Sequence, residues 1–182
     1  MSDETEGFEA LFVETRAALL GYLTRRAPVD DAADLLAEVY LVAWRRRGDL
    51  PTGDERRLWL FGAARRLLAE YHRISARRSD AEREAGPAHD PGSGGDDDRG
   101  DAVRGALQTL GEVDRELITL TTWEGLTPAE AARVIGITAG TARVRLHRAR
   151  ARLARHPRMR ALLTEPDGDD VPSSVGAVPA TG

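Results

Sequence analysis

The stretch ITAGTARVRLHRARARLARH, residues 137–156, carries Arg143, Arg145, Arg148, Arg150, Arg152 and Arg155 and no acidic residue. Guanidinium groups in such rows suit contact with phosphate oxygens and base edges. At helical spacing the stretch sorts by face. Ala142, Leu146, Ala149 and Leu153 form one apolar stripe. Arg143, His147 and Arg150 form a neighbouring row, and Arg145, Arg148, Arg152 and Arg155 another. An ordinary solvated helix interleaves Glu with Arg at i,i+4; here the counter-charges are missing. Catalytic chemistry finds no such support. His72, His89, His147 and His156 do not cluster in the sequence. No phosphate loop, metal-spaced ligand set or nucleophile motif is present, so no catalytic residue, metal or cofactor is expected.

The elements around the stretch must aim it. TPAE, residues 127–130, places Thr127 as N-cap, Pro128 at the first helical position and Glu130 three residues after the cap. That is a capping box with proline where its missing N–H does no harm. The short helix ends at Gly136, and Thr138 caps a last helix running to about Leu153. A short helix, a glycine turn and a longer helix make a helix-turn-helix pattern. Upstream, a helix over Glu112–Trp123 turns Leu117, Ile118 and Leu120 inward. A helix from about Asp101 ends with Leu107 and Leu110, with Gly111 as its stop.

The chain before residue 79 also reads as helical, so the expected fold class is all-α, two small helical domains joined by a flexible linker. Phe8, Leu11, Phe12, Leu19, Leu20 and Leu23 fall near helical spacing. Asp30 or Asp31 caps a second helix containing Leu35, Leu36, Val39, Tyr40, Val42, Ala43 and Trp44. GDLPTGD, residues 48–54, is a loop, and a third helix runs from about Glu55 to Arg77. Residues 79–100, SDAEREAGPAHDPGSGGDDDRG, offer nothing apolar larger than Ala, too little burial to offset ordering entropy. They read as the linker. The domains are then residues 8–78 and 101–156, with residues 1–7 and 157–182 expected to lack fixed structure.

The 182-residue chain has a formal net charge of −4, from 30 acidic and 26 basic residues, every basic one an Arg. An all-arginine choice suits phosphate contact and also follows from a GC-rich genome. The charge is uneven. Residues 8–79 hold 13 Arg against 10 acids, residues 80–100 seven acids and two Arg, and residues 101–156 nine Arg against six acids. The two bodies are mildly basic, and the acidity lies in the connecting and terminal segments. With no cysteine, no apolar signal core and no apolar run of the ~18 residues a span needs, a soluble cytoplasmic protein without membrane insertion is expected.

At this point the residues resemble a family. LTPAEAARVIGITAGTARVRLHRARARL, residues 126–153, is similar to the C-terminal promoter-reading domain of bacterial extracytoplasmic-function (ECF) RNA polymerase sigma factors. DDAADLLAEVYLVAWRRRGDL, residues 30–50, resembles the segment that docks on core polymerase. RRLWLFGAARRLLAEYHR, residues 56–73, resembles the segment that opens and reads the −10 element. The likeness covers about residues 8–156.

The resemblance implies roles by position. Asp34, Leu35, Glu38 and Val39, with Arg47 nearby, would meet the clamp of the large polymerase subunit; Leu35 and Val39 also suit a core. Asp34 and Glu38 form an i,i+4 like-charge pair whose cost a basic partner would remove. Ala37 stands where the family often has Gln. The loop from Gly48 to Glu55 would capture a flipped −10 base, with Arg57, Trp59, Arg65, Arg66 and Arg73 on the following helix. Trp59 suits stacking, while an aromatic residue on an amphipathic helix more often packs a core, and Arg66 replaces a common Asn, which directs it to phosphate. Thr141, Arg143, Val144, Arg145, His147 and Arg148 would serve the −35 element. Val144 replaces a small polar residue and offers only apolar contact, for example to a thymine methyl. Leu110-Gly111 replaces a frequent Leu-Pro.

The two elements lie about 25 base pairs apart, roughly 85 Å at ~3.4 Å each. A linker of this length relaxes to about 25 Å and extends to about 75 Å. The implied partners are core RNA polymerase and promoter DNA, with room for an anti-sigma factor, and the chain would be a monomer before joining polymerase. A stand-alone helix-turn-helix regulator with a helical sensing or dimerisation domain is the alternative. It would bind duplex DNA without polymerase.

Overall fold

The computed structural model describes residues 2–85 and 98–164, with side chains over 7–78 and 100–161. Every regular element among them is helical: α1 (Ser2–Thr24), α2 (Val29–Arg45), α3 (Asp54–Ala85), α4 (Asp98–Gln108), α5 (Glu112–Thr122), α6 (Pro128–Ile135), α7 (Ala139–Arg155) and α8 (Pro157–Thr164). A single 3-10 turn, Arg47–Asp49, lies between α2 and α3.

In the first half, α1, α2 and α3 bury one apolar stripe each. Leu11, Leu19, Tyr22 and Leu23 meet Val39, Tyr40 and Ala43 of α2 and Leu58, Leu60, Phe61, Ala64 and Leu68 of α3. Tyr22 packs edge-on against Phe61, ring centroids 5.4 Å apart. A buried polar pair in this core is satisfied: Thr15 donates to the Leu11 carbonyl at 2.7 Å and shares a 2.8 Å hydrogen bond with the Tyr40 hydroxyl.

Several boundaries differ from the sequence reading. α2 starts at Val29 behind Pro28, without a side-chain cap. Asp30 and Asp31 lie in its first turn, where their charge complements the helix dipole. Asp31 instead accepts a 2.8 Å hydrogen bond from the Tyr71 hydroxyl. α3 continues to Ala85, past the boundary expected at 78. Ala, Arg and Glu are strong helix formers, and extending a formed helix costs far less than nucleating one. α1 likewise begins at Ser2. Gly111 is not a helix stop: α4 ends at Gln108, and Gly111 is the extended N-cap of α5, with φ −62° and ψ 156°. α8 occupies 157–164, within the stretch expected to lack order, and its Arg158 lies over Gly105 of α4. The linker's centre, including Asp96 and Asp97, and the tail beyond 164 fall outside the described residues.

In the second half, Leu117, Ile118 and Leu120 of α5, Ala131, Ala132 and Val134 of α6, and Ala142, Leu146 and Ala149 of α7 close a compact core. The two helical halves touch: α3 of the first lies against α6 of the second. A Cβ built on buried Gly62 of α3 would stand 4.0 Å from the Val134 carbonyl oxygen.

Candidate nucleic-acid interface

α7 is aimed by the elements before it. The Thr127 hydroxyl accepts from the Glu130 N–H at 3.3 Å, and the Glu130 carboxylate accepts from the Thr127 N–H at 2.7 Å. The Thr127 hydroxyl donates to the same carboxylate, also at 2.7 Å. These bonds hold the Glu130 carboxyl below the usual carboxylate range, the hydroxyl contributing most. Gly136 adopts φ +85°, which a side chain would resist. Its N–H and that of Ile137 both close on the Ala132 carbonyl at 2.9 Å. Thr138 then caps α7, accepting from the Thr141 N–H at 3.2 Å. With Ala142, Leu146 and Ala149 buried, the opposite face must point outward.

That face carries Arg143, Val144, His147 and Arg148, all exposed, Val144 to 51%. Thr141 is exposed in the first turn, its hydroxyl 2.8 Å from that of Thr138. Arg145 is turned aside: its Nε donates to Asp114 of α5 at 2.7 Å, bracing α7 against α5. Arg145, Arg148 and Arg152 with Asp114 line a shallow groove of about 250 Å³. Among the described residues no carboxylate pairs with Arg143, Arg148, Arg150, Arg152 or Arg155. The face is therefore a free cationic surface of about one helix width, the size a major groove admits.

The residues expected at the −10 element lie along α3. Arg57 donates to the Glu124 carbonyl at 2.9 Å, and Arg65 stands 3.7 Å from Glu112, both in the second half of the chain. Trp59 is partly buried and packs against the core. Arg66 is exposed. Arg73 is held by Glu70 on its own helix, which lowers the Glu70 pKa and raises that of Arg73. The preceding loop is pinned by Arg56, which donates to the Pro51 carbonyl at 3.1 Å.

Of the residues expected to dock on polymerase, Asp34, Leu35 and Glu38 line one groove of about 560 Å³ between α2 and α3. Asp31, Tyr71, Ile74, Ser75 and Arg78 complete it, and the sequence did not single out Asp31, Tyr71 or Ile74 for it. The bond from Tyr71 to Asp31 raises the tyrosine pKa and ties the helices together there. Val39 does not belong to this surface. It is fully buried and packs the three-helix core, so it has no face to offer a partner. Arg47 lies over the Trp44 ring, 4.8 Å from its centroid.

Set beside known proteins, the chain shows likeness along both halves. A family described as "Sigma-70, region 4" matches residues 100–153. The "ECF RNA polymerase sigma factor SigC" of Mycobacterium tuberculosis is 31% identical over 170 residues, covering 90% of this chain and 85% of that one. The "RNA polymerase sigma factor CarQ" of Myxococcus xanthus is 33% identical over 152 residues, covering 79% and 84%. Among solved structures, the sigma factor RpoE in complex with the anti-sigma factor NepR from Bartonella quintana aligns with a TM-score of 0.66 at 25% identity. That alignment covers 88% of this chain and 99% of that one. A stand-alone regulator would share only the helix-turn-helix; these likenesses extend across α1–α3 as well.

Proposed function

The chain belongs to the ECF RNA polymerase sigma factors, initiation factors that bind DNA through a helix-turn-helix, and on that premise we propose how its residues divide the work. The outer face of α7 reads the −35 element: Arg143, Val144, His147 and Arg148 meet base edges, and Arg152 and Arg155 meet phosphates. Arg145 acts indirectly, fixing the angle of α7 through Asp114. α3 reads the −10 element with Arg57, Arg65 and Arg66, and Arg73 extends the positive track. The α2–α3 groove, with Asp34, Leu35 and Glu38 on one wall, receives the polymerase clamp.

The chain performs no catalysis of its own; polymerase supplies the chemistry, and the work is done in the cytoplasm. An anti-sigma partner is part of this reading, because the sigma factors RpoE and CnrH were each solved in complex with a partner of that kind or a cytosolic domain. The observation that carries the proposal is the unpaired cationic face of α7, presented by a capped helix and a left-handed glycine. The test is reconstitution: purified core polymerase plus this chain, offered a pool of genomic promoters. Starts at a discrete promoter set support the proposal, and no start at any promoter refutes it.

A further inference from the structure

The unpaired arginines of α7 have an acidic segment of the same chain within reach. Among the described residues no carboxylate answers Arg148, Arg152 or Arg155. Arg148 and Arg152, four apart on one helix, repel each other. Both line the groove of about 250 Å³ beside Ala149, where the one carboxylate, Asp114, is already engaged by Arg145. α8 carries the chain on from α7, packs against α4 and α7, and ends at Thr164. Residues 165–170 then read EPDGDD. They hold four acids, Glu165, Asp167, Asp169 and Asp170, and no Arg.

We propose that residues 165–170 dock along the Arg148–Arg152–Arg155 row of α7 and compete there with DNA phosphates. The competition rests on the assignment of this face to the −35 element; the docking itself does not. Distance permits it. α8 has eight residues, about 12 Å at ~1.5 Å each, so Thr164 lies at most about that far from the end of α7. Six extended residues span up to about 20 Å. Arg155 and Arg152, within about 5 Å of the end of α7, are therefore reachable whatever direction α8 takes. Spacing permits it too. Alternate side chains of an extended segment stand ~6.6 Å apart, as would Glu165, Asp167 and Asp169. Arg148, Arg152 and Arg155, at i, i+4 and i+7, stand ~5–6 Å apart. Pro166 disfavours helix at the residue before it, which suits such a segment. Because the acids are tethered, they act at an effective concentration in the millimolar range. Each carboxylate on a guanidinium takes the place of one phosphate, so docking lowers the affinity of α7 for any duplex by the same factor.

The chain has no cysteine, so V171C places a single nitroxide label just past the acids of the full-length protein. The label is expected to broaden the backbone amide resonances of residues 148–155, and the broadening is expected to vanish in E165Q/D167N/D169N/D170N and at 0.5 M salt. No broadening on α7 overturns the docking. So does broadening that passes only from a labelled chain to a second, isotope-enriched one, because the occupant would then be another copy. The competition is read separately, by anisotropy with a mixed-sequence 25-base-pair duplex at 0.1 M salt. E165Q/D167N/D169N/D170N is expected to bind about tenfold more tightly than the native chain, since exposed ion pairs are each worth a few-fold at most. The gap should close by 0.5 M salt. E82Q/D90N/D96N/D97N removes the same number of charges from the stretch before α4 and is expected to change affinity by less than about twofold. An equal gain from both variants overturns the inference, because net charge alone would explain it. If neither the native chain nor any variant binds duplex while the broadening is present, the assignment of α7 to DNA fails and the competition with it.

Discussion

Arg148→Ala should separate base reading from charge. Arg148 is exposed in the middle of α7 and has no carboxylate partner, so its loss breaks no internal contact. Ala is a better helix former than Arg, and the apolar stripe is untouched, so folding should be preserved. A side chain that bonds base edges contributes about 1–3 kcal/mol of discrimination, or roughly five- to 150-fold in affinity. The variant holoenzyme should lose that factor on the cognate promoter and much less on duplexes altered at the −35 base it reads. Arg155→Ala, in the last turn of α7, removes a phosphate contact instead. Its loss should be smaller, similar on every sequence, and accompanied by a fall of about one in the slope of log affinity against log salt. Fluorescence anisotropy across a panel of single-base −35 variants, at four salt concentrations, measures both. If Arg148→Ala and Arg155→Ala weaken all promoters equally, Arg148 does not read bases and the assignment of the α7 face is wrong.

Other outcomes follow from the same geometry. Val39→Ala should destabilise the first half by about 2 kcal/mol in chemical denaturation, a cavity in a full core, whereas Glu38→Arg should leave stability within about 0.5 kcal/mol. Glu38→Arg should instead weaken core-polymerase binding, measured by biolayer interferometry; the reverse pattern would put Val39 back on the docking surface. Glu130 has a folded pKa below its ordinary 4.5, so its charge stabilises fully above that value and the benefit vanishes as pH falls through the depressed one. Glu130→Gln should therefore cost about 0.5 kcal/mol at pH 7, with the difference in melting temperature closing in acid; a gap that widens in acid contradicts the capping account. Asp114→Ala should free Arg145 and loosen the angle of α7, so that discrimination among the single-base −35 variants falls a few-fold in the same anisotropy panel; unchanged discrimination contradicts the bracing role.

The helix-turn-helix was legible because its signals are local. Thr127, Pro128, Glu130, Gly136 and Thr138 each act within four residues of their partners, and each stands in the structure in the role its type suggested. The apolar stripe of α7 was legible for the same reason, since period 3.6 is a short-range signal. Where burial and propensity disagreed, the sequence misled. Residues 79–85 include no apolar type larger than Ala, yet they continue α3 because Ala, Arg and Glu extend a helix already anchored by Leu58 to Leu68. Gly111 has the type of a helix stop but lies too far past the end of α4 to act as one. The pairing between the two halves was invisible. Arg25 and Glu124 are 99 positions apart, and ion pairing leaves no periodic trace that would link them. The same pairing explains part of the charge pattern. Glu112, Glu116 and Glu124, half of the six acids in the second block, answer arginines of the first.

The central claim is that two separate parts of one chain read two separate DNA elements, α3 the −10 and α7 the −35. Single cysteines at His72 on α3 and Gly140 at the start of α7, each exposed, can carry an iron chelate that cleaves nearby DNA. In holoenzyme on a cognate promoter, the account predicts cleavage from position 140 around −35 and from position 72 near −10. The two centres should lie about 25 base pairs apart, a separation of roughly 85 Å. Cleavage from both positions at one place, or from position 140 near −10, would contradict it.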